Sequence, residues 1–290
     1  MSTRRRILIQ LDTDAHPSVF DSIVALDAGA EVLLRYGNVR PENVVPLVHG
    51  AIFTRGPKDL HQTAIFIGGS DVALAERIRD EVRKTLLPQW GLSVSSLLDP
   101  NGSNTTAAAA VRTVLRRFSL NGASVLILGG TGPVGQRIAH LIAQQGAEVR
   151  LASRQLSKAE EVVARLRSRL PAARLVAGET ATESGLREAL RGCQVVFGSG
   201  AAGVRILPKA LWLGQPQLRI LLDLNAVPPS GIEGVEPLDD GIVRDGVLCF
   251  GAIAVGNLKM KIHKTAIAKL FERSDYHFDI DEIFALSETL

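Results

Sequence analysis

The chain has 290 residues, of which 46% are hydrophobic, 22% charged and 4% aromatic, and its formal net charge is +3. That length exceeds the usual single core and points to two domains, while so few aromatic side chains argue against a stacking platform for single-stranded nucleic acid. No apolar stretch reaches the ~20 residues that a membrane-spanning helix needs, and two cysteines in apolar contexts, Cys193 and Cys249, fit buried thiols in a reducing cytoplasm. The basic run Thr3-Arg4-Arg5-Arg6 reads as a solvated terminus rather than a DNA-binding arm, and the start of the chain lacks the apolar region of a signal peptide. The six histidines show no metal-ligand spacing, so no metal site is expected.

In chain order, Arg6 to Asp12 reads as a strand, with Asp12 and Asp14 at its carboxyl end. Pro17 opens a helix that stops at Gly29, Glu31 to Arg35 forms the next strand, and Pro41 starts a short helix carrying Val44, Val45 and Val48. Ala51 to Arg55 and Thr63 to Ile67 read as strands. Asp71 caps a helix with apolar positions Val72, Ala75, Ile78 and Val82, and Leu92 to Leu98 is one more strand. This alternation over the first hundred residues describes an α/β domain. A polar loop, Asp99 to Thr106, leads into a helix marked by Ala110, Val111, Val114, Leu115 and Phe118.

The most informative stretch follows. Val125 to Leu128 is an apolar run without alternation, as in a strand buried on both faces. Gly130, Gly132 and Gly135 then form G-x-G-x-x-G, and Val134, Ile138, Leu141 and Ile142 recur at helical spacing. Gly146 closes the helix, and Glu148 to Ala152 supplies a second strand. In such a β-α-β unit the first glycine permits the tight turn and the second admits a pyrophosphate. The third lets helix and strand pack closely, and the helix N-terminus faces the anion. The bland reading is a glycine turn in an ordinary α/β protein. NAD-preferring sites place Asp or Glu about 20 residues on, where this chain has Ser153-Arg154, with Lys158 beyond; a hydroxyl and a guanidinium suit a 2′-phosphate. Solvated surface charge is the alternative for Arg154 and Lys158.

Ser157 to Glu160 reads as a capping box opening another helix. Later strands are expected at Arg174 to Ala177, Gln194 to Phe197, Arg219 to Leu224 and Val247 to Phe250. Their ends carry Ser199-Gly200, Asp223 with Asn225, and Gly251-Ala252. The segment Asn257 to Leu290 reads as helical and as packing back on the first domain. The fold class is therefore α/β, with two α/β domains, the second a Rossmann-type parallel sheet, and an active cleft between them. Residues 1–118, joined by the C-terminal helix 265–290, form the first domain, and 119–264 the second.

Seven separated runs resemble the NAD(P)-dependent methylenetetrahydromethanopterin dehydrogenases of one-carbon metabolism: LDTDAHPSVFD (11 to 21), YGNV (36 to 39), QTAIFIGG (62 to 69), DPNGSNTTAAA (99 to 109), GTGPVG (130 to 135), LNAVPPSGIEGV (224 to 235) and FGAIAVGNLKMKIHK (250 to 264). The resemblance implies oxidation of a pterin-bound methylene bridge to the methenyl cation with reduction of NADP, NAD being the other possible acceptor. It further implies a cytoplasmic, trimer-based homo-oligomer with no nucleic-acid or membrane partner, and a catalytic role for Lys259. Without it Lys259 reads as a surface lysine beside Lys261. One branch of the family shares the DTDA-PSVFD run and uses NADP; another shares NAVPPSG and tolerates NAD, and this chain mixes the two.

The chemistry then assigns roles. Gly130, Thr131, Gly132, Pro133, Val134 and Gly135, with Ser199, Gly200, Asp223 and Asn225, are expected to cradle the dinucleotide, and Ser153, Arg154 and Lys158 to hold its 2′-phosphate. Asp12, Asp14 and Asp21 are candidates for stabilising positive charge on the substrate, against the plainer readings of Asp14 as a helix cap and Asp21 as solvated. Ser18, Asn101, Thr105 and Thr106 offer hydroxyls and amides to a pterin edge, although Asn101-Gly102 alone reads as a turn. A methylenetetrahydrofolate or shikimate-type dehydrogenase, and a non-catalytic NADP-binding sensor, are the competing functions.

Overall fold

The structure is a computed structural model and describes residues 4–290; Thr3 of the basic run lies outside the described residues. In chain order it begins β1 (Ile7–Asp12), α1 (Val19–Asp27), β2 (Val32–Tyr36), α2 (Pro41–Phe53), β3 (Thr63–Gly68), α3 (Val72–Thr85), β4 (Ser95–Leu98) and α4 (Ser103–Leu115). It continues β5 (Ser124–Leu128), α5 (Pro133–Gln144), β6 (Glu148–Ser153), α6 (Leu156–Arg169), β7 (Arg174–Glu179), α7 (Glu183–Leu190) and β8 (Val195–Gly198). The remainder is α8 (Lys209–Trp212), β9 (Ile220–Asp223), β10 (Asp240–Arg244), β11 (Val247–Phe250), α9 (Ala252–Lys269), β12 (His277–Phe278) and α10 (Ile280–Leu286). Two compact units result. One holds the described residues up to Thr105 together with Met260–Leu290, and the other Thr106–Lys259.

The first unit carries a five-stranded sheet in the order β12-β4-β3-β1-β2 with every pairing parallel. Its central strands β1 and β3 are buried along almost their whole length, which explains their continuous apolar runs, whereas the edge strand β2 is largely exposed. Leu11, Ile65 and Ile67 pack there with Val44 and Val48 of α2 and Ile78 and Val82 of α3. Truncating Ile67 or Ile78 to alanine would cost about 2–5 kcal/mol. Asp71 caps α3 as expected, its carboxylate accepting the Leu74 amide at 2.9 Å. Read from β2, the strand order is 2-1-3-4-5, a doubly wound arrangement whose switch point lies between β1 and β3.

The second unit carries seven strands in the order β10-β11-β9-β8-β5-β6-β7, all parallel except the β10–β11 pair. Leaving out β10, this is the Rossmann order 3-2-1-4-5-6, so the chain is α/β with a Rossmann-type parallel sheet and its switch point falls between β5 and β8. Trp212 fills the core of this unit, and its indole N–H donates to the Glu233 carbonyl at 2.8 Å.

Three expectations need correction, and one strand was not expected at all. Ala51 to Arg55 is not a strand; Ala51 and Ile52 continue the buried Val44 and Val48 stripe at i+7 and i+8, which is the helical period of α2. Ser157 to Glu160 is not the cap of α6, because the helix already begins at Leu156 with Gln155 as its N-cap, and Ser157 lies inside the first turn. The last segment is not wholly helical: after α9 the two-residue β12 pairs with β4, too short to leave a periodic signal. The exposed, antiparallel β10 also went unread, since an outermost strand need not carry an apolar run.

Candidate active site

In the second unit the chain turns sharply out of β5. The positive φ of that turn, +70°, belongs to Gly129 rather than to Gly130, so the tight-turn role expected of Gly130 moves one residue back. Gly130 is required for a different reason: a Cβ there would lie 2.6 Å from the Leu151 Cγ of β6. Gly135 faces β5 so closely that a Cβ would come within 2.7 Å of the Gly130 Cα and 2.9 Å of the Ser199 Oγ. Gly132, the N-cap of α5, is different: its nearest neighbour is the Gly129 carbonyl oxygen at 3.4 Å. With no side-chain cap at this terminus, the first-turn amides of α5 remain directed at whatever occupies the space before them.

That space is a cavity of about 660 Å³ at the carboxyl ends of β5, β6, β7 and β8, reached by Leu128, Ser153, Thr180 and Ser199 respectively. Of the expected dinucleotide residues, Thr131, Gly132, Ser153, Arg154, Ser199 and Gly200 line it. Gly130, Pro133, Val134 and Gly135 build the turn and helix beside it without lining it. Arg154 is exposed at its rim, whereas Lys158, exposed on α6, is not among its lining residues. The Ser199 hydroxyl donates to the Leu128 carbonyl at 2.9 Å and so ties the ends of β5 and β8 together.

Asp223 and Asn225 do not line the cavity. The Asp223 carboxylate accepts the amides of Asn225 at 3.1 Å and Ile232 at 2.9 Å, and the Asn225 side chain binds Gly203, Val227 and Pro229, so both hold the loop that follows β9. Burial pushes the Asp223 carboxyl above the usual carboxylate range against the pull of these amides. Missed by sequence reasoning were Thr180, Thr182, Glu183, Arg187 and Arg205, all lining the same cavity. Their signal is present, since they follow carboxyl ends of strands, but the sequence places the end of β7 at Ala177 instead of Glu179, which hides the polar residues after it as a strand end.

Of the candidate pterin residues, Asp12, Asp14 and Ser18 lie at or just after the end of β1 at the first unit's switch point, Asp21 is on α1, Asn101 and Thr105 follow β4, and Thr106 and Lys259 belong to the second unit. Asp12 is buried, and its two oxygens accept the amides of Asp14 at 2.9 Å and Ser18 at 3.1 Å. Asp14 does not cap α1; its carboxylate accepts the Ser70 amide at 3.0 Å and hydroxyl at 2.7 Å, joining the β1 and β3 loops. The cap is Ser18, whose hydroxyl accepts the Asp21 amide at 3.2 Å. Asp21 is not solvated: its carboxylate lies 3.9 Å from Nε2 of the buried His263, which stacks on Phe66. Thr105 is fully buried and donates its hydroxyl to Asp99 at 2.6 Å, while Asp99 also accepts the amides of Asn104 and Thr105. Asn101 is exposed in the left-handed region at φ +53°, Thr106 is half-buried in α4, and Lys259 is half-buried in α9. Among the described residues no group of His, Cys, Asp or Glu is arranged to hold a metal ion, and no helix is long and apolar enough to cross a membrane.

Fold and cavity together define the class: an α/β protein whose second unit is a Rossmann-type domain with an open switch-point cavity. The fold is shared with shikimate 5-dehydrogenase from Listeria monocytogenes (14% identity, 99% of this chain and 97% of that one, TM-score 0.56). Quinate dehydrogenase from Corynebacterium glutamicum is similar too, at 13% identity over 99% of both chains with a TM-score of 0.52. A family model described as NAD(P)H-binding matches residues 129–215, and one described as methylene-tetrahydromethanopterin dehydrogenase, N-terminal, matches residues 19–101. Two proteins of Methylorubrum extorquens are more closely related. Bifunctional protein MdtA is 44% identical over 288 residues, covering 99% of each chain, and NAD(P)-dependent methylenetetrahydromethanopterin dehydrogenase is 34% identical over 93% of each. The chain belongs to the methylene-tetrahydromethanopterin dehydrogenase family.

Proposed function

We propose that this chain oxidises the methylene bridge of 5,10-methylenetetrahydromethanopterin to the methenyl cation by direct hydride transfer to NADP, in the cytoplasm and as a trimer-based homo-oligomer. The observation that carries the reading is the open cavity at the β5/β8 switch point, glycine-floored and rimmed by Arg154, in a chain of this family. The residues fit a dinucleotide. Gly132 leaves the approach to the α5 amides clear, and the end of β6 presents Ser153 and Arg154 where an acid would repel a 2′-phosphate. Residues 119–264 are the NADP domain in this reading, and residues 1–118 with 265–290 the pterin domain.

A bound nicotinamide supplies the hydride acceptor. The methylene carbon lies between two nitrogens, so a lone pair helps the hydride leave and no proton moves in that step. The protein has to hold donor and acceptor carbons about 3–3.5 Å apart and exclude water. Asp12 and Asp99 shape the loops that present Ser18 and Asn101, Thr106 is offered from α4, and Asp21, beside His263, is assigned to charge stabilisation. Lys259 binds or orients the pterin.

The test is a spectrophotometric assay crossing NADP and NAD with the methanopterin and folate forms of the methylene substrate. The methanopterin form with NADP should turn over fastest, and Lys259→Ala should lower kcat about 100-fold or more while NADPH still binds. Turnover confined to methylenetetrahydrofolate, or NADPH binding without turnover on either substrate, would contradict the reading. Near-normal turnover in Lys259→Ala would remove the lysine from it.

A further inference from the structure

The cavity that lines the β5/β8 switch point holds more charge than a 2′-phosphate site needs, and the excess is paired. Arg154 from the end of β6 carries no ion pair among the described residues. Arg205 is held by Glu233 at 2.9 Å, and Glu233 is not itself a lining residue. Glu183 and Arg187 differ from both, because each partner of the pair lines the cavity. They sit one helical turn apart at i and i+4 on α7, directly after the polar run Thr180-Ala181-Thr182 that follows β7. Arg187 places both Nε (3.0 Å) and Nη2 (2.8 Å) on a single oxygen, Glu183 Oε1.

We propose that Glu183 and Arg187 form a two-position selector for the ribose 2′ substituent, so that one cavity accepts either NADP or NAD. This rests on the reading that the dinucleotide occupies this cavity. The side chains are 69% and 55% exposed, so the pair is worth little by itself and little is lost when it opens. Facing a 2′-phosphate, Arg187 leaves Glu183 and joins Arg154 on the phosphate oxygens, a fork-and-oxyanion match stronger than the exposed ion pair. Facing a 2′-hydroxyl, Glu183 accepts a hydrogen bond from the hydroxyl, the part an acid plays at the end of the second strand in NAD-preferring Rossmann sites, while Arg187 neutralises it from behind. Ser153-Arg154 alone would make the site selective for NADP. The acid on α7 restores an acceptor that the end of β6 lacks.

The test is fluorescence titration of NADPH and NADH on the wild-type chain and on Arg187→Ala, Glu183→Gln and Arg154→Ala, with melting temperatures as a folding control. Arg187→Ala should weaken NADPH about tenfold and leave NADH within about twofold. Glu183→Gln should weaken NADH several-fold and, by freeing Arg187, tighten NADPH; Arg154→Ala should weaken NADPH without the reciprocal gain for NADH. Equal losses for both nucleotides in Arg187→Ala, or an unchanged NADPH to NADH ratio in Glu183→Gln, overturn the selector while leaving the nucleotide site in place. Failure of the wild-type chain to bind either nucleotide overturns the site and the selector with it.

Discussion

The two sheets each have a switch point, and the chain furnishes them in opposite ways. Where β5 and β8 diverge, glycines remove side chains, the helix terminus is left without a side-chain cap, and Arg154 stands at the rim of a cavity with no ion pair among the described residues. Where β1 and β3 diverge, the polar side chains are plentiful but committed. Asp12 serves the amides of Asp14 and Ser18, Asp14 serves Ser70, and nearby Asp99 serves Asn104 and Thr105. A carboxylate that accepts two or three backbone hydrogen bonds cannot serve a substrate without releasing its loop. At one edge, then, polarity is kept for a ligand; at the other it mostly fixes loop shape, and the groups left over are the ones to examine for substrate contact.

Asp99→Ala should show the largest effect of this kind. It strands two buried amides and the Thr105 hydroxyl, so stability should fall by about 2–4 kcal/mol, while NADPH affinity stays within about twofold. A denaturant melt paired with an NADPH titration checks both, and a stable Asp99→Ala variant would break the contrast between the edges.

A smaller effect should appear at β12, away from both switch points, and serves as a control. Burial, and then the Arg83 charge, hold the His277 pKa below its ordinary value, while Asp275 and Glu282 pull the other way. His277 Nδ1 lies 3.0 Å from the Ser96 hydroxyl, and the Ser96 amide donates to the Tyr276 carbonyl. A depressed histidine contributes stability that is present above the unfolded pKa of about 6.5 and is lost as pH falls through the folded value. The exchange protection factor of the Ser96 amide should therefore drop between pH 7.5 and 5, by less than about tenfold, with NADPH affinity unmoved by this local opening. A flat protection factor would contradict the assignment.

How much of this could be read in the sequence follows from the same contrast. Buried parallel strands announce themselves as unbroken apolar runs, so β1, β3, β5 and β11 were legible, and Gly130, Gly132 and Gly135 marked the nucleotide turn. Exposed or two-residue strands carry no such signal, which hid β10 and β12. Residue type alone did not say what a carboxylate was doing: Asp12 and Asp99 read as candidate chemistry or loop, and only their hydrogen bonds assign them to loops. Arg187 and Glu183 were invisible as a pair because a surface i,i+4 ion pair looks the same on any helix; their shared cavity sets them apart.

The most direct measurement is NADPH titration of Gly132→Val. A Cβ there meets nothing closer than 3.4 Å, and the φ of −73° suits valine, so the variant should fold with a melting temperature within about 5 °C of the parent. Its methyl groups would stand in the approach to the α5 amides, and NADPH affinity should fall at least about tenfold. Unchanged affinity in a folded Gly132→Val protein would contradict the account, because the dinucleotide would then bind elsewhere than at the β5/β8 edge.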